Sequence, residues 1–340
     1  MSDQPATADL RAAMLETIQS DLQHTIRILR DPPYEEMSEM IEYHLGWQEA
    51  SPGARGKQLR PLLTLLSCQA AGGDWRRAVP AASCIELIHN FSLIHDDIQD
   101  RSDIRRGLTT VWKRWGEAQA INIGDAIFVL ARLASQRLID TGVSPASILQ
   151  VLTIIDQECL NLTKGQYLDL KFENREAVSE SDYIEMISGK TCALLRASTQ
   201  CGAIIADAAP RAIEGYREFG HHLGMAFQII DDILGIWGLA EATGKSNEAD
   251  LRGRKQSLPV IYGLEHSPEF SEIWSLQRSS SDDIKEMKRA LEGAGADKHA
   301  RQAADKATSL ALQALKSARP EGAAAIELEN LAAGLIARRR

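Results

Sequence analysis

Asp96, Asp97 and Asp100 lie in the string Leu93-Ile94-His95-Asp96-Asp97-Ile98-Gln99-Asp100, and Asp231 and Asp232 lie in Phe227-Gln228-Ile229-Ile230-Asp231-Asp232-Ile233-Leu234. Both strings sit inside apolar runs, where a bare carboxylate is costly to desolvate. A helix stacks Asp96 and Asp100, four residues apart, on one face. Two like charges there repel unless a cation lies between them. Mg²⁺ takes hard oxygen ligands and commonly bridges one or two carboxylates to substrate phosphates. The pair of clusters therefore points to an enzyme that holds a phosphate ester through Mg²⁺ within a helical core. Taken alone, each string is equally a solvated acidic helix end.

Basic residues recur beside these carboxylates. Arg105-Arg106-Gly107 follows the first cluster; the two arginines are either simple ion-pair partners, worth little at a surface, or the phosphate-binding hands of the same site. Gly56-Lys57-Gln58-Leu59-Arg60-Pro61 sets two cations at a helix entrance, which is a natural anion site and, standing alone, an ordinary basic turn. Gly189-Lys190-Thr191 has a weaker version of the same logic, and Gly165-Gln166-Tyr167-Leu168-Asp169 puts Gln166 and Asp169 on one helical face. After the second cluster, Thr243-Gly244-Lys245-Ser246 and Arg252-Gly253-Arg254-Lys255 form a basic, Gly-containing loop able to close over phosphates. A P-loop is excluded, because position 239 is Leu239 where that motif needs Gly and no strand precedes it.

The elements that must position these groups read as helices. Long Leu, Ile and Ala segments recur at helical spacing, punctuated by Gly and Pro. The pattern predicts helices over about 8–30, 34–45, 59–70, 76–100, 117–140, 145–172, 180–206, 211–238, 256–266, 281–292, 297–317 and 322–337. Strand signals are scarce. The expected fold class is all-α: a single large helical bundle around a central apolar cavity, with residues 1–340 as one domain. The net charge of −9 argues against a general nucleic-acid-binding surface. No apolar run of transmembrane length appears. The five cysteines (Cys68, Cys84, Cys159, Cys192 and Cys201) are scattered, as in reduced cytoplasmic proteins.

In order along the chain, G-K-x-x-R-P at 56–61, L-I-H-x-x-S-L-I-H-D-D-x-x-D at 87–100, R-R-G at 105–107, G-Q-x-x-D at 165–169, K-T at 190–191, F-Q-x-x-D-D at 227–232 and G-K…D-L…K at 244–255 together resemble the trans-polyprenyl diphosphate synthase family. The resemblance runs from about 45 to 264 and less clearly beyond. It implies a Mg²⁺-dependent prenyltransferase that joins isopentenyl diphosphate to an allylic diphosphate. Asp96 and Asp100 are implied to bind two ions with Asp97 in support, and Asp231 a third together with Asp232, so about three ions in all. Arg105, Lys190, Gln228, Lys245 and Lys255 are implied to surround the allylic diphosphate, and Lys57, Arg60, His89 and Arg106 to hold isopentenyl diphosphate without metal. Lys190 and Thr191, with Gln166, are implied to offer dipoles near the developing cation. A His on an apolar helix face is ordinarily a core residue; the place of His89 seven residues before Asp96 matches the family's diphosphate-binding His. His95 is read as structural. A cytoplasmic homodimer is implied, with the apolar helix around 117–135 as its candidate interface.

Departures from the family pattern are confined to the second cluster. Gly235 stands where a third Asp usually completes D-D-x-x-D, and Leu239 stands where a known variant often has Asp; Asp250 is a candidate to compensate. For product length, Phe91 and Ser92 lie five and four residues before Asp96, and the family resemblance reads this pairing as a geranylgeranyl (C20) product. Two rivals share part of the pattern. A terpene cyclase needs no isopentenyl diphosphate site, whereas Lys57, Arg60, His89 and Arg106 are all present. A non-catalytic subunit of a heteromeric synthase tends to lose metal carboxylates, whereas all five are kept.

Overall fold

The computed structural model describes residues 4–48, 56–173, 175, 177–238, 248–278 and 280–337. Lys245 and Leu239, both singled out from the sequence, lie outside the described residues. Helices follow one another as α1 (Gln4–Ile26), α2 (Glu35–His44), α3 (Leu59–Ala70), α4 (Val79–Gln99), α5 (Val111–Trp115), α6 (Glu117–Gln136), α7 (Pro145–Phe172), α8 (Glu180–Ile187), α9 (Ala193–Ile205) and α10 (Pro210–Trp237). They continue as α11 (Ala249–Arg252), α12 (Leu258–His266), α13 (Pro268–Ser275), α14 (Ser281–Ala294), α15 (Ala296–Ser317) and α16 (Gly322–Ala337). Among the described residues the extended structure is one hairpin, β1 (Ile104–Arg105) and β2 (Leu108–Thr109), which pair antiparallel. The all-α class expected from the sequence is therefore observed.

The chain gathers into two compact units: Met1–Asp156, Ala197–Tyr216 and Ala318–Leu328 form the first, and Gln157–Arg196, Arg217–Ser317 and Glu329–Arg340 the second. In the first unit α4 is apolar around much of its circumference, and every residue from Val79 to Ile88 is buried. A helix hydrophobic on all sides must be wrapped by others. One neighbour is α6, whose buried face is built from Ala120, Ile123, Gly124, Ile127, Ala131 and Ala134. Small residues let the two helices approach closely: a Cβ at Gly124 would lie 2.1 Å from the His95 ring. Burial of each Leu or Ile contributes roughly 1.5–3 kcal/mol, so α4 is a fixed rod whose last turn presents the first carboxylates.

The second unit has its own core, where Ile236 and Leu251 pack with Val260, Phe270, Ile284 and Met287. Its helices start on sharp signals. Ser179 and Asp182 form a reciprocal capping box at α8, Ser280 and Asp283 another at α14, and Pro268 opens α13 behind a Ser267 cap. The single helix expected over 180–206 is broken: residues Ser188–Cys192 form one π-helical turn between α8 and α9. Helix α13 and the 104–109 hairpin carry no expectation from the sequence, being too short for periodicity to register.

Candidate active site

The first cluster ends α4. Adjacent helix positions point about 100° apart, and here that separates the two neighbouring carboxylates: Asp97 is 2% exposed, Asp96 is half-buried, and Asp100, the C-cap, is exposed. Arg105 reaches both from β1. Its Nε donates to Asp97 Oδ1 at 2.8 Å and its Nη2 to Asp96 Oδ2 at 3.2 Å. Burial pushes the Asp97 carboxyl up to about 6, against the pull of Arg105. The hairpin turns through Arg106 and Gly107, both at positive φ (52° and 80°), as tight two-residue hairpin loops require. Gly supplies that conformation without cost; Arg106 adopts it despite its side chain, a kind of strain concentrated at functional sites.

Beside the hairpin lies a half-buried cationic cluster. Arg60, on the first turn of α3, donates from Nη1 to His89 Nε2 at 3.1 Å. With Nε2 accepting, the His89 proton sits on Nδ1. Burial, followed by Arg60, Arg106 and Arg105, holds His89 well below the usual imidazole range, so it is neutral. A Cβ at Gly56 would lie 2.7 Å from the Arg106 guanidinium carbon, so the residue before Lys57 is pressed against Arg106. Lys57 itself is exposed, just ahead of α3. The structure thus brings Arg60, His89 and Arg106 together, with Lys57 at the edge.

Two members of this cluster were not singled out from the sequence. Glu86 is 4% exposed; burial raises its pKa, opposed by Arg60, Arg106 and a hydrogen bond from Asn90. His44, on α2, is pushed down to about 3 by burial and by Arg106 and Arg105. Glu86 lies one helical turn before His89, and that spacing could have flagged it. His44 is joined only by tertiary structure.

Phe91 packs edge-to-face against Phe128 of α6, with ring centroids 5.2 Å apart, and against His95 at 5.5 Å. The Ser92 hydroxyl donates to the His89 carbonyl at 2.8 Å.

The second cluster repeats the split within the second unit. Asp231 is exposed, while Asp232 is 1% exposed. Asp232 accepts from Tyr183 OH at 2.6 Å, Gln228 Nε2 at 2.9 Å and the Leu258 amide at 3.2 Å, with Lys255 Nζ 4.0 Å away. Burial raises the Asp232 pKa, and Lys255, Tyr183, Gln228 and the Leu258 amide pull against it. Asp232, then Asp250, Asp169 and Asp231, raise the Lys255 ammonium, so Lys255 is charged. Thr191 Oγ1 donates to Gln228 Oε1 at 2.6 Å, and Lys190 Nζ pairs with Asp169. Thr191, Gln228, Asp232 and Lys255 are therefore one connected network. Asp97 and Asp232, expected to support metal ions, both turn inward onto protein donors. The more exposed carboxylates are Asp96, Asp100 and Asp231.

Gly235 has a specific neighbour. A Cβ there would lie 2.5 Å from Asp250 Oδ2 and 2.6 Å from its Cγ, so the Asp250 carboxyl fills the space that a side chain at 235 would take.

Among the described residues, no three His, Cys, Asp or Glu side chains close into a metal cage. Mg²⁺ does not need one: it dehydrates reluctantly and is usually held by one or two carboxylates plus substrate phosphates. The oxygen-only set at the end of α4 fits such an ion.

The polyprenyl synthetase family model matches residues 39–293. The chain is 36% identical over 324 residues to a geranylgeranyl diphosphate synthase of Mycobacterium tuberculosis, covering 92% of this chain and 90% of the relative. It is 41% identical over 247 residues to a (2E,6E)-farnesyl diphosphate synthase of Mycobacterium bovis, covering 71% and 67% respectively. The structure matches that of a geranylgeranyl pyrophosphate synthetase from Pyrococcus horikoshii with a TM-score of 0.87 at 32% identity, covering 97% of this chain and 98% of the other.

Proposed function

The chain belongs to the polyprenyl synthetase family and is a trans-prenyltransferase, and we propose that it condenses isopentenyl diphosphate with an allylic diphosphate to give geranylgeranyl diphosphate. The observation that carries this reading is the half-buried cluster of Arg60, His89 and Arg106 beside the carboxylates of α4. Arg106 and Arg60 meet a diphosphate, neutral His89 orients Arg60 while its Nδ1–H remains a donor, and Lys57 closes the edge of the cluster. Glu86 offsets part of the positive charge when the site is empty.

In the first unit Asp96 and Asp100, and separately in the second unit Asp231, are the carboxylates that would hold Mg²⁺, which would supply charge neutralisation for a departing diphosphate. In the first unit Arg105 is the cation beside the carboxylates; in the second, Lys190 and Lys255 are the cations and Thr191 and Gln228 the oriented dipoles available to the allylic diphosphate. Departure of diphosphate breaks the allylic C–O bond and leaves a carbocation. The double bond of isopentenyl diphosphate attacks it, forming the new C–C bond, and a proton is then lost to the released diphosphate. The reaction requires that water be kept from the cation.

The C20 length rests on Phe91, whose ring packs on Phe128 five residues ahead of Asp96; the similar proteins include both farnesyl and geranylgeranyl synthases. A homodimer is proposed from α6, which leaves Ile121, Val129 and Leu133 at 44%, 56% and 42% exposure along one side; sedimentation at a mass of one chain would contradict it. A reducing, cytoplasmic location is supported by five buried thiols and by the fact that no described helix is long and apolar enough to cross a membrane.

The test is a product assay with Mg²⁺, isopentenyl diphosphate and C5, C10 or C15 allylic diphosphates, with the alcohols sized after dephosphorylation. A C20 alcohol from the wild type and longer products from Phe91→Ala are expected. A C15 ceiling would overturn the length, a cyclic hydrocarbon would indicate a cyclase, and no elongation from any primer would sink the transferase substrates.

A further inference from the structure

Lys190 and Thr191 sit on the only stretch of the helix running from Glu180 to Ile205 that is not α-helical, the π-turn Ser188–Cys192. Such a turn inserts one extra residue and widens the helix, and it recurs at functional sites because it re-aims side chains. It also needs outside support, since its hydrogen-bond ladder slips.

The support comes from Arg196 and Glu158, which are 8% and 9% exposed. Arg196 forks onto Glu158, Nε to Oε1 at 2.9 Å and Nη2 to Oε2 at 2.7 Å. Its Nη1 reaches back to the turn, to the Ser188 carbonyl at 3.1 Å and the Ser188 hydroxyl at 3.2 Å, and across to His221 Nδ1 at 3.1 Å. Since Arg196 donates, His221 Nδ1 accepts and the imidazole is neutral. Burial, aided by Arg196, pushes it down to about 4. Glu158 Oε2 also accepts from Asn161 at 3.2 Å.

The same face of α7 continues toward the site. Glu158, Asn161, Gly165 and Asp169 are spaced i, i+3, i+7 and i+11, one stripe of a helix. Glu158 holds Arg196. The Asn161 carbonyl would lie 2.7 Å from a Cβ at Gly189, and a Cβ at Gly165 would lie 2.0 Å from the Lys190 amide nitrogen. Asp169 pairs with Lys190 Nζ. Backbone presses on backbone at the two glycines, and the Arg196–Glu158 pair closes the end of the stripe remote from Lys190.

We propose that Arg196 and Glu158 are positioning residues of the prenyl transfer site: their buried fork clamps the π-turn onto α7 and thereby sets where Lys190 and Thr191 present their ammonium and hydroxyl to the allylic diphosphate. This rests on the function proposed above. The clamp touches no reacting atom, and it bears on the allylic substrate alone, because the groups assigned to isopentenyl diphosphate belong to the first unit.

The double substitution Arg196→Met/Glu158→Leu tests it. Buried ion pairs generally tolerate replacement by apolar residues of similar volume without loss of stability, so the variant is expected to melt close to wild type. A misplacement of about 1 Å costs on the order of 10²-fold in rate. kcat/KM for the allylic diphosphate should therefore fall by about that factor, while KM for isopentenyl diphosphate stays within about twofold. Amides 188–192 should exchange hydrogen faster than in wild type. Arg196→Lys, which keeps the charge and loses the fork, should share the kinetic defect and serves if the double variant does not fold. Wild-type allylic kinetics in a folded variant, or an equal rise in both KM values, would overturn the proposal. If wild type elongates no primer, the functional reading fails by itself, and unchanged exchange at 188–192 in the variant would still overturn the clamp.

Discussion

The two adjacent-Asp pairs share one plan and differ in what anchors it. In each, the helix turns one carboxylate inward and leaves its neighbour more exposed. Asp97 leans on Arg105, a half-buried cation carried on a surface hairpin. Asp232 is seated on Tyr183, Gln228 and the Leu258 amide, groups built into the second unit's helices. The anchor of the first pair can itself reach a phosphate; the anchor of the second is scaffold. On the proposed function, one pair would couple metal binding to substrate cations, and the other to the position of Thr191, Gln228 and Lys255.

The largest expected effect separates exposed from buried members. Asp96→Ala should lower kcat by at least about 10²-fold, the order lost when one electrostatic stabiliser of a transition state is removed, while leaving stability within about 1 kcal/mol. Equal activity would break the assignment. Next, Asp232→Ala leaves the buried Tyr183 hydroxyl and Leu258 amide without their acceptor, and should cost about 1–3 kcal/mol in urea unfolding. Asp231→Ala, on the same turn, should change it by less than about 0.5 kcal/mol. Similar losses from both would erase the distinction.

A pH effect distinguishes the first unit. His44 has a folded pKa of about 3 against 6.5 unfolded. A depressed imidazole contributes stability that is fully present above pH 6.5 and is lost as pH falls toward 3. His44→Gln should flatten this acid limb, by up to a few kcal/mol between those limits, as read from urea midpoints across the range. An unchanged slope would show that the His44 site is solvated. The smallest effect concerns Gly235. Gly235→Asp should displace the Asp250 carboxyl and cost about 1–3 kcal/mol, as overpacking does. Adding Asp250→Ala should recover most of it, and additive losses would mean the two positions do not share space.

Much of this was legible in the sequence. Helix α7 runs from Pro145 to Phe172, as its spacing predicts, because a long amphipathic repeat with a proline start leaves little choice. The arginines were legible as candidates because cations recur beside the carboxylates and at a helix entrance, and His89 because of its place seven residues before Asp96. What was not legible depends on partners distant in the chain. The inward turn of Asp97 and Asp232, the burial of Glu86 and the inclusion of His44 follow from packing between helices. The π-turn at Ser188–Cys192 is invisible to a 3.6-residue period, which reads straight through it. The small-residue contacts at Gly165 and Gly189 have no signature beyond the glycines themselves.

The division of labour between the substrates is tested most directly by steady-state kinetics of Arg60→Ala with both diphosphates varied. Arg60 bonds to His89 within the first unit's cationic cluster. KM for isopentenyl diphosphate should rise at least about tenfold, as expected for a lost charged hydrogen bond of about 1.5–3 kcal/mol, while KM for the allylic diphosphate stays within about twofold. A rise confined to the allylic substrate, or no change in either, would contradict the assignment of the cationic cluster to isopentenyl diphosphate.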